Sequence, residues 1–334
     1  MRALINISLI VFALVASNVY AQVHTIKANE CYKAKDYNCA QANIDSAITS
    51  SERFNSQTWQ LRGLIYLKLE EAKGKDSRDI AIESFVQARN LDSTGVHTDK
   101  IANFIKNAVI RYYNDAVVYL EKGDLENSES SYVLYKGKFK KYLNPKQDFG
   151  QQDIEYYNAL GSEYLKLVPR LSGDEKAKKV AKGIHFFELI LKQDTTLFQP
   201  NFNVGIMYYN DGADLIMNMD PLTPIEEIPI IEERAQQGFR NALPFLHRAH
   251  RIEPERLDVI EAIAGCYYGL QDNDNYLKFQ TILDKKNLPI LLEKIQQSPK
   301  DEVVLQELCR IYSATLKDKE QYNKYLKILE ELGE

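Results

Sequence analysis

The segment Ala242-Leu243-Pro244-Phe245-Leu246-His247-Arg248-Ala249, closed by Glu253-Pro254, sets a small, a large and a small residue at intervals of four and three: Ala242, Leu246, Ala249. On an α-helix that spacing puts the three side chains on one face. Weaker copies recur at Ala40, Ile44, Ala47; Ala81, Phe85, Ala88; Ser128, Tyr132, Tyr135; and Gly183, Phe187, Ile190. Ahead of most of them lies a companion pattern, an aromatic, then a small residue, then a tyrosine one turn on. Trp59, Gly63, Tyr66 and Tyr157, Leu160, Gly161, Tyr164 are its fullest copies. Tyr112, Ala116, Tyr119; Val204, Gly205, Tyr208; Gly265, Tyr268; and Leu308, Cys309, Tyr312 are weaker ones. Each stripe is too narrow to bury alone, so the helices must pair and the pairs must stack. A stack of this kind offers a long surface for holding another molecule, and the pattern therefore points to binding.

An all-α fold is the expectation, since 15 glycines and 10 prolines against 21 tyrosines suit helices with aromatic seams better than a turn-rich β-sandwich. The two helix patterns together resemble the tetratricopeptide repeat family, whose unit carries a W, L-G, Y, A, F, A, P signature. Trp59, Gly63 and Tyr66 correspond to its first helix, Ala81, Phe85 and Ala88 to its second, and Pro254 and Pro299 to its closing proline. The likeness runs over most of the chain. It implies a right-handed superhelical solenoid of about six to seven hairpins across residues 22–334; together with the pattern of residues 1–21, an exported bacterial protein of this kind is expected.

Within a hairpin the distance between the two small residues should stay constant. Ala28 to Ala40 and Ala116 to Ser128 are both 12, whereas Gly63 to Ala81 is 18, Gly161 to Gly183 is 22 and Gly205 to Ala242 is 37. Residues therefore enter at the turn of three hairpins. Around the break Asp220-Pro221-Leu222-Thr223-Pro224, stretches 210–219 and 226–240 keep helix formers, so lengthened helices and a helical insertion at about 211–234 are expected. Pro244 would kink or start the second helix. The stretch 136–152, with Asn144-Pro145 and Gly150, is the candidate for a bend.

Residues 1–21 read as a cleaved secretory signal: Arg2, an apolar run over 4–16 too short to span a bilayer, then small residues at Val19 and Ala21. The first cysteine, Cys31, lies ten positions beyond Ala21, which argues against lipid modification there. No second apolar run of spanning length follows, so an exported protein, periplasmic, extracellular or envelope-associated, is expected. The net charge of −5 becomes −6 once the single charge of the leader, Arg2, is removed. No basic stripe appears, and Lys136, Lys138, Lys140 and Lys141 form only a local cluster, so nucleic acid is excluded as a partner. An oxidising compartment would permit disulfides. Cys31 and Cys39 flank Asp36, at the turn of the first hairpin, and Cys266 and Cys309 fall at equivalent positions of successive repeats. Paired bridges and free buried thiols are both open for each pair.

Catalytic constellations are missing, so the chain reads as a non-enzyme without cofactor or metal. None of the five histidines lies in an HExxH arrangement, and neither a phosphate loop nor a nucleophile elbow occurs. His247 and His250, with Glu253 beyond, could share a helix face around a metal; exposed positions flanking buried Leu246 and Ala249 are the simpler reading. Tyr66, Tyr119, Tyr164, Tyr208, Tyr268 and Tyr312 fall at the packing position and are assigned to the core. The second tyrosines Tyr113, Tyr156, Tyr209 and Tyr267 point away from it, and some are expected on the surface as anchors.

In the resembled family the ligand lies in a groove lined by the first helices. Carried over, the groove positions are Gln57, Gln60, Lys68, Tyr113, Asn114, Asn158, Ser162, Lys166, Phe202, Asn203, Tyr209, Asn210, Gln306 and Arg310. They are rich in amides, which donate to and accept from an extended backbone, and they lack the clustered Lys and Arg with which chaperone-binding members grip a peptide terminus. The expected function is an envelope scaffold binding a protein or peptide; a glycan or small-molecule binding protein is the alternative.

Overall fold

The computed structural model describes residues 22–171 and 173–333; the expected leader, 1–21, lies outside them. Fourteen α-helices and no strand occur among the described residues. They pair as seven hairpins: α1 (Val23–Lys33) with α2 (Tyr37–Ala47), α3 (Ser56–Lys73) with α4 (Lys75–Leu91), α5 (Thr98–Glu121) with α6 (Leu125–Tyr142), α7 (Gly150–Leu167) with α8 (Gly173–Leu191), α9 (Phe198–Met217) with α10 (Ile228–Ile252), α11 (Leu257–Gly269) with α12 (Asn273–Gln297), and α13 (Glu302–Arg310) with α14 (Lys319–Gly333). Two compact units divide between Phe149 and Gly150, inside the stretch 136–152. Within each unit every helix packs on the next in sequence, the arrangement of an all-α helical-repeat solenoid with tetratricopeptide-like hairpins.

Close approach at small residues makes the seams. The ring of Phe85 on α4 occupies the space that a Cβ on Gly63 of α3 would need. A Cβ on Gly161 would lie 2.8 Å from the Phe187 ring, and one on Gly205 would lie 2.6 Å from Leu246. The repeated small and large residues are thus two halves of one contact.

Hairpins with the 12-residue spacing share a turn. Lys35 and Gly123 take left-handed φ values of 63° and 75°, as does Gln271 in the sixth hairpin at 59°. The aspartate after each caps the next helix: Asp36, Asp124 and Asp272 accept from the amides of Cys39, Asn127 and Asn275 at 3.0, 3.3 and 3.2 Å. In the longer hairpins the added residues extend helices. Gly74 alone separates α3 from α4, while α9 and α10 reach 20 and 25 residues and are joined by 218–227. Pro244 sits inside α10 rather than starting it.

Several expectations need correction. Tyr268 is not core: it is 69% exposed, because Phe239 fills the space over Gly269 and Tyr209 the space over Gly265, leaving no room for a third ring. Tyr119 and Tyr208 are only half-buried. None of the second tyrosines is fully exposed. Tyr156 is buried, while Tyr113, Tyr209 and Tyr267 pack against Tyr135, Phe239 and Phe279 at centroid distances of 5.4, 5.8 and 5.8 Å. His247 and His250 are half-buried rather than exposed, both against Phe279, and His247 Nε2 lies 2.9 Å from the Tyr267 hydroxyl. Cys31 and Cys39 form a disulfide across the first turn. Cys266 and Cys309 are not a pair: each is a buried free thiol, in a different hydrophobic cluster.

Candidate functional site

The carried-over groove positions meet different fates. In the first unit, Gln57 and Asn114 are exposed, but Gln60 is buried and its amide is turned to Ser56 Oγ at 3.3 Å. In the second unit, Asn203 is buried with its Oδ1 held by Gln199 Nε2 at 2.8 Å, so it is a packing residue and not a contact for a partner. Ser162 Oγ donates to the Asn158 carbonyl at 2.7 Å, and the Asn158 Oδ1 is buried with no hydrogen-bond partner among the described residues. Lys166 is exposed beside Glu163 at 2.6 Å. Gln60 and Asn203 are thus already engaged, whereas Gln57, Asn114, Lys166 and Asn210 are exposed.

Tyr209 and Arg310, distant in sequence, are brought together. They line a cleft of about 460 Å³ with Glu261 and Tyr268 of α11, Tyr276, Gln280 and Asn287 of α12, and Glu307 of α13. Gly265 makes this possible, since a Cβ there would lie 2.6 Å from the Tyr209 hydroxyl. Burial pushes the Tyr209 phenol up, helped by nearby Cys266 and Glu261, so it stays a neutral donor and acceptor. Tyr268 stands at the mouth, its ring 5.4 Å from Tyr276.

Asp284, 1% exposed, accepts from two of the lining side chains, Arg310 and Gln280. Burial works against its charge, but hydrogen bonds from Arg310, Thr315 and Gln280 outweigh that cost and hold the carboxyl below its usual range. Arg310 also reaches Glu307 at 2.6 Å; the Glu307 bond chiefly, then Asp284, keeps the guanidinium charged against desolvation. Arg310 is thus committed to two carboxylates, and Glu261 leaves the cleft with an acidic balance. The arrangement offers phenols, amides and carboxylates for hydrogen bonding. Among the described residues no three His, Cys, Asp or Glu side chains come together as a metal site.

Tyr276, Gln280 and Asn287 were not among the expected groove positions because only first helices were taken to line a groove; Glu261, although on the first helix α11, was not among them either. The signal was present: Tyr276, Gln280, Leu283 and Asn287 follow the helical period and all face the cleft. On the opposite flank of α9, Asn210, Asp211, Asp214 and Asn218 line a larger crevice of about 960 Å³ with Arg234 and Lys176, in which Lys176 pairs with Asp214.

A scan against protein-family models finds no match for this chain, and a search of curated proteins finds none either. A search of solved structures aligns the chain with distant helical-repeat proteins at low similarity. A monomeric mutant of IFIT1 with Gppp-AAAA is 11% identical, over 91% of this chain and 79% of that one, with a TM-score of 0.32. The human IFIT1 dimer with PPP-AAAA is 12% identical over 93% and 73%, at 0.31. The TPR domain of P58(IPK) is 12% identical over 93% and 98%, at 0.24.

Proposed function

We propose that this chain is an exported, non-catalytic helical-repeat scaffold of a bacterial envelope, binding a partner protein through a peptide segment laid in the Tyr209–Arg310 cleft. The cleft itself carries the reading. Its phenols and amides satisfy an extended backbone, which both donates and accepts, and Tyr268 offers a rigid ring to a side chain at low entropic cost. Export is supported by the pattern of residues 1–21 and by the Cys31–Cys39 disulfide, a bond that persists in oxidising compartments. Crosslinking in the native envelope with the wild-type chain should yield a defined protein adduct. Replacing Tyr268 and Asn287 together by Ala should reduce its recovery at least about tenfold, the loss expected from truncating a central aromatic anchor. Undiminished recovery by that variant would remove the cleft from the account, and a mature chain still carrying residues 1–21 would remove export.

A glycan is the second reading, favoured by one observation. Exposed Tyr268 and half-buried Tyr276 form an aromatic pair beside carboxylates and amides, a surface on which a sugar ring can stack. Saturable heat on titrating an oligosaccharide panel, abolished by Tyr268→Ala, would favour it over the peptide.

A further inference from the structure

The excursion between α9 and α10 carries an unusual surface. Leu222, Ile225 and Met217 are 87%, 82% and 81% exposed, the three most exposed large apolar side chains among the described residues, and Ile230, in the same stretch, is 62% exposed. They fall within fourteen positions, 217–230. Scattered exposed leucines are ordinary, but a concentrated apolar patch marks a contact surface.

This tip is held in shape. Leu222 N donates to Asp220 Oδ1 at 2.8 Å, Thr223 N to the Asp220 carbonyl at 2.9 Å, and Glu227 N to the Pro224 carbonyl at 2.9 Å. Pro221, Pro224 and Pro229 restrict the same stretch. Below it the two helices touch backbone to backbone, since a Cβ on Gly238 would lie 3.1 Å from Gly212 Cα. The apolar side chains are therefore displayed by a braced arm, and ordering them on binding costs little.

Within the stretch that carries the patch the charge has one sign, while the cations Arg234 and Lys176 line the crevice that Asn218 shares, Lys176 being paired with Asp214. Between residues 215 and 233 the chain has Asp220, Glu226, Glu227, Glu232 and Glu233 and no Lys, Arg or His. Glu233 is neutralised by Arg240, whereas Asp220, Glu226, Glu227 and Glu232 have no ion-pair partner among the described residues. An acidic rim repels anionic lipid headgroups and another copy of the same tip, and it favours a partner that carries positive charge beside its apolar face.

We propose that the 217–230 tip is a docking surface for a basic amphipathic segment of a partner protein, whose apolar stripe covers Met217, Leu222, Ile225 and Ile230 while its Lys and Arg face Glu226, Glu227 and Glu232. This surface is separate from the Tyr209–Arg310 cleft, so either can fail alone.

The test uses the full mature chain and a labelled 18-residue synthetic helix with leucines along one face and lysines elsewhere. Its controls are a scrambled peptide of the same composition and the same helix with glutamate for lysine. The amphipathic basic helix should bind saturably, weaken as salt is raised, and weaken at least about tenfold on Leu222→Ser with Ile225→Ser or on Glu226→Gln with Glu227→Gln. These residues are exposed, so thermal stability should be unchanged, and Tyr268→Ala should leave this binding intact. Equal binding of the scrambled or acidic peptide, or of the variants, overturns the proposal. So does a chain that ignores the peptide but binds phosphatidylcholine vesicles through Leu222, which would make the tip a membrane contact. Self-association abolished by Leu222→Ser would assign the tip to a second copy and equally overturn it.

Discussion

Gly63 shows what a single position does in this chain. Its missing side chain is filled by the Phe85 ring, so Gly63→Ala forces the ring or the helix aside even though alanine is the better helix former. Overpacking should win, and the variant should lose about 1–3 kcal/mol in urea unfolding. Gly137, on α6 with open space around its Cα, is the control: Gly137→Ala should be neutral or slightly stabilising. At this scale the seam residues were legible, because small-large-small triples have one physical use. The amides were not. Gln60 and Asn203 carry the same side-chain chemistry as exposed Asn114 and Asn210, and only their neighbours Ser56 and Gln199 show that the first two are already engaged. Tyr209 and Arg310 were named from their helix positions, but the Asp284 carboxylate that fixes Arg310 was hidden in a helix whose repeat pattern is weak.

At the scale of elements, the first hairpin is closed twice, by the Lys35-Asp36 turn and by the Cys31–Cys39 disulfide. Closing so short a loop should contribute about 2–3 kcal/mol to that hairpin by restricting its unfolded chain. Thiol titration in denaturant should find two reactive thiols, Cys266 and Cys309, before reduction and four after it. Hydrogen exchange after reduction should rise in α1 and α2 and stay unchanged in α11 and α12, as expected of repeats that contact only their neighbours. Four thiols without reductant would contradict the bridge. Spacing alone left both cysteine pairs open, since two cysteines on successive repeats can lie in separate clusters, as Cys266 and Cys309 do. The irregular distances between small residues did reveal where hairpins are elongated. They could not reveal that Gly212 and Gly238 clasp α9 to α10 and carry the 217–230 tip on a braced arm.

For the molecule as a whole, acid sensitivity should come first from histidine. Burial pushes His247 down from its ordinary 6.5, with His250, Arg251 and Lys278 adding to it, and burial with Lys286 lowers His250 against the opposing Glu255. Both are favoured neutral when folded. Above 6.5 neither state binds a proton there, and stability is intact; as pH falls through 6.5 the unfolded chain takes up protons that the folded one resists, and stability drops. Melting temperature should therefore fall between about pH 7 and pH 5, and His247→Gln with His250→Gln should flatten that slope. The carboxylates held low, Asp258 and Asp284 together with Asp92 and Asp194, act only below their ordinary 3.8, a separate window. An unchanged slope in the double variant would place the acid response elsewhere. The sequence by itself determined the all-α class, the pairing of helices and the positions of the elongated hairpins, because helical periodicity and the fit of small against large residues are local and repeat along the chain. Tertiary structure decided which polar side chains remain free to bind, since that depends on what the neighbouring hairpin has already claimed, and it alone assembled the cleft from Tyr209, Tyr276 and Arg310 on three different helices.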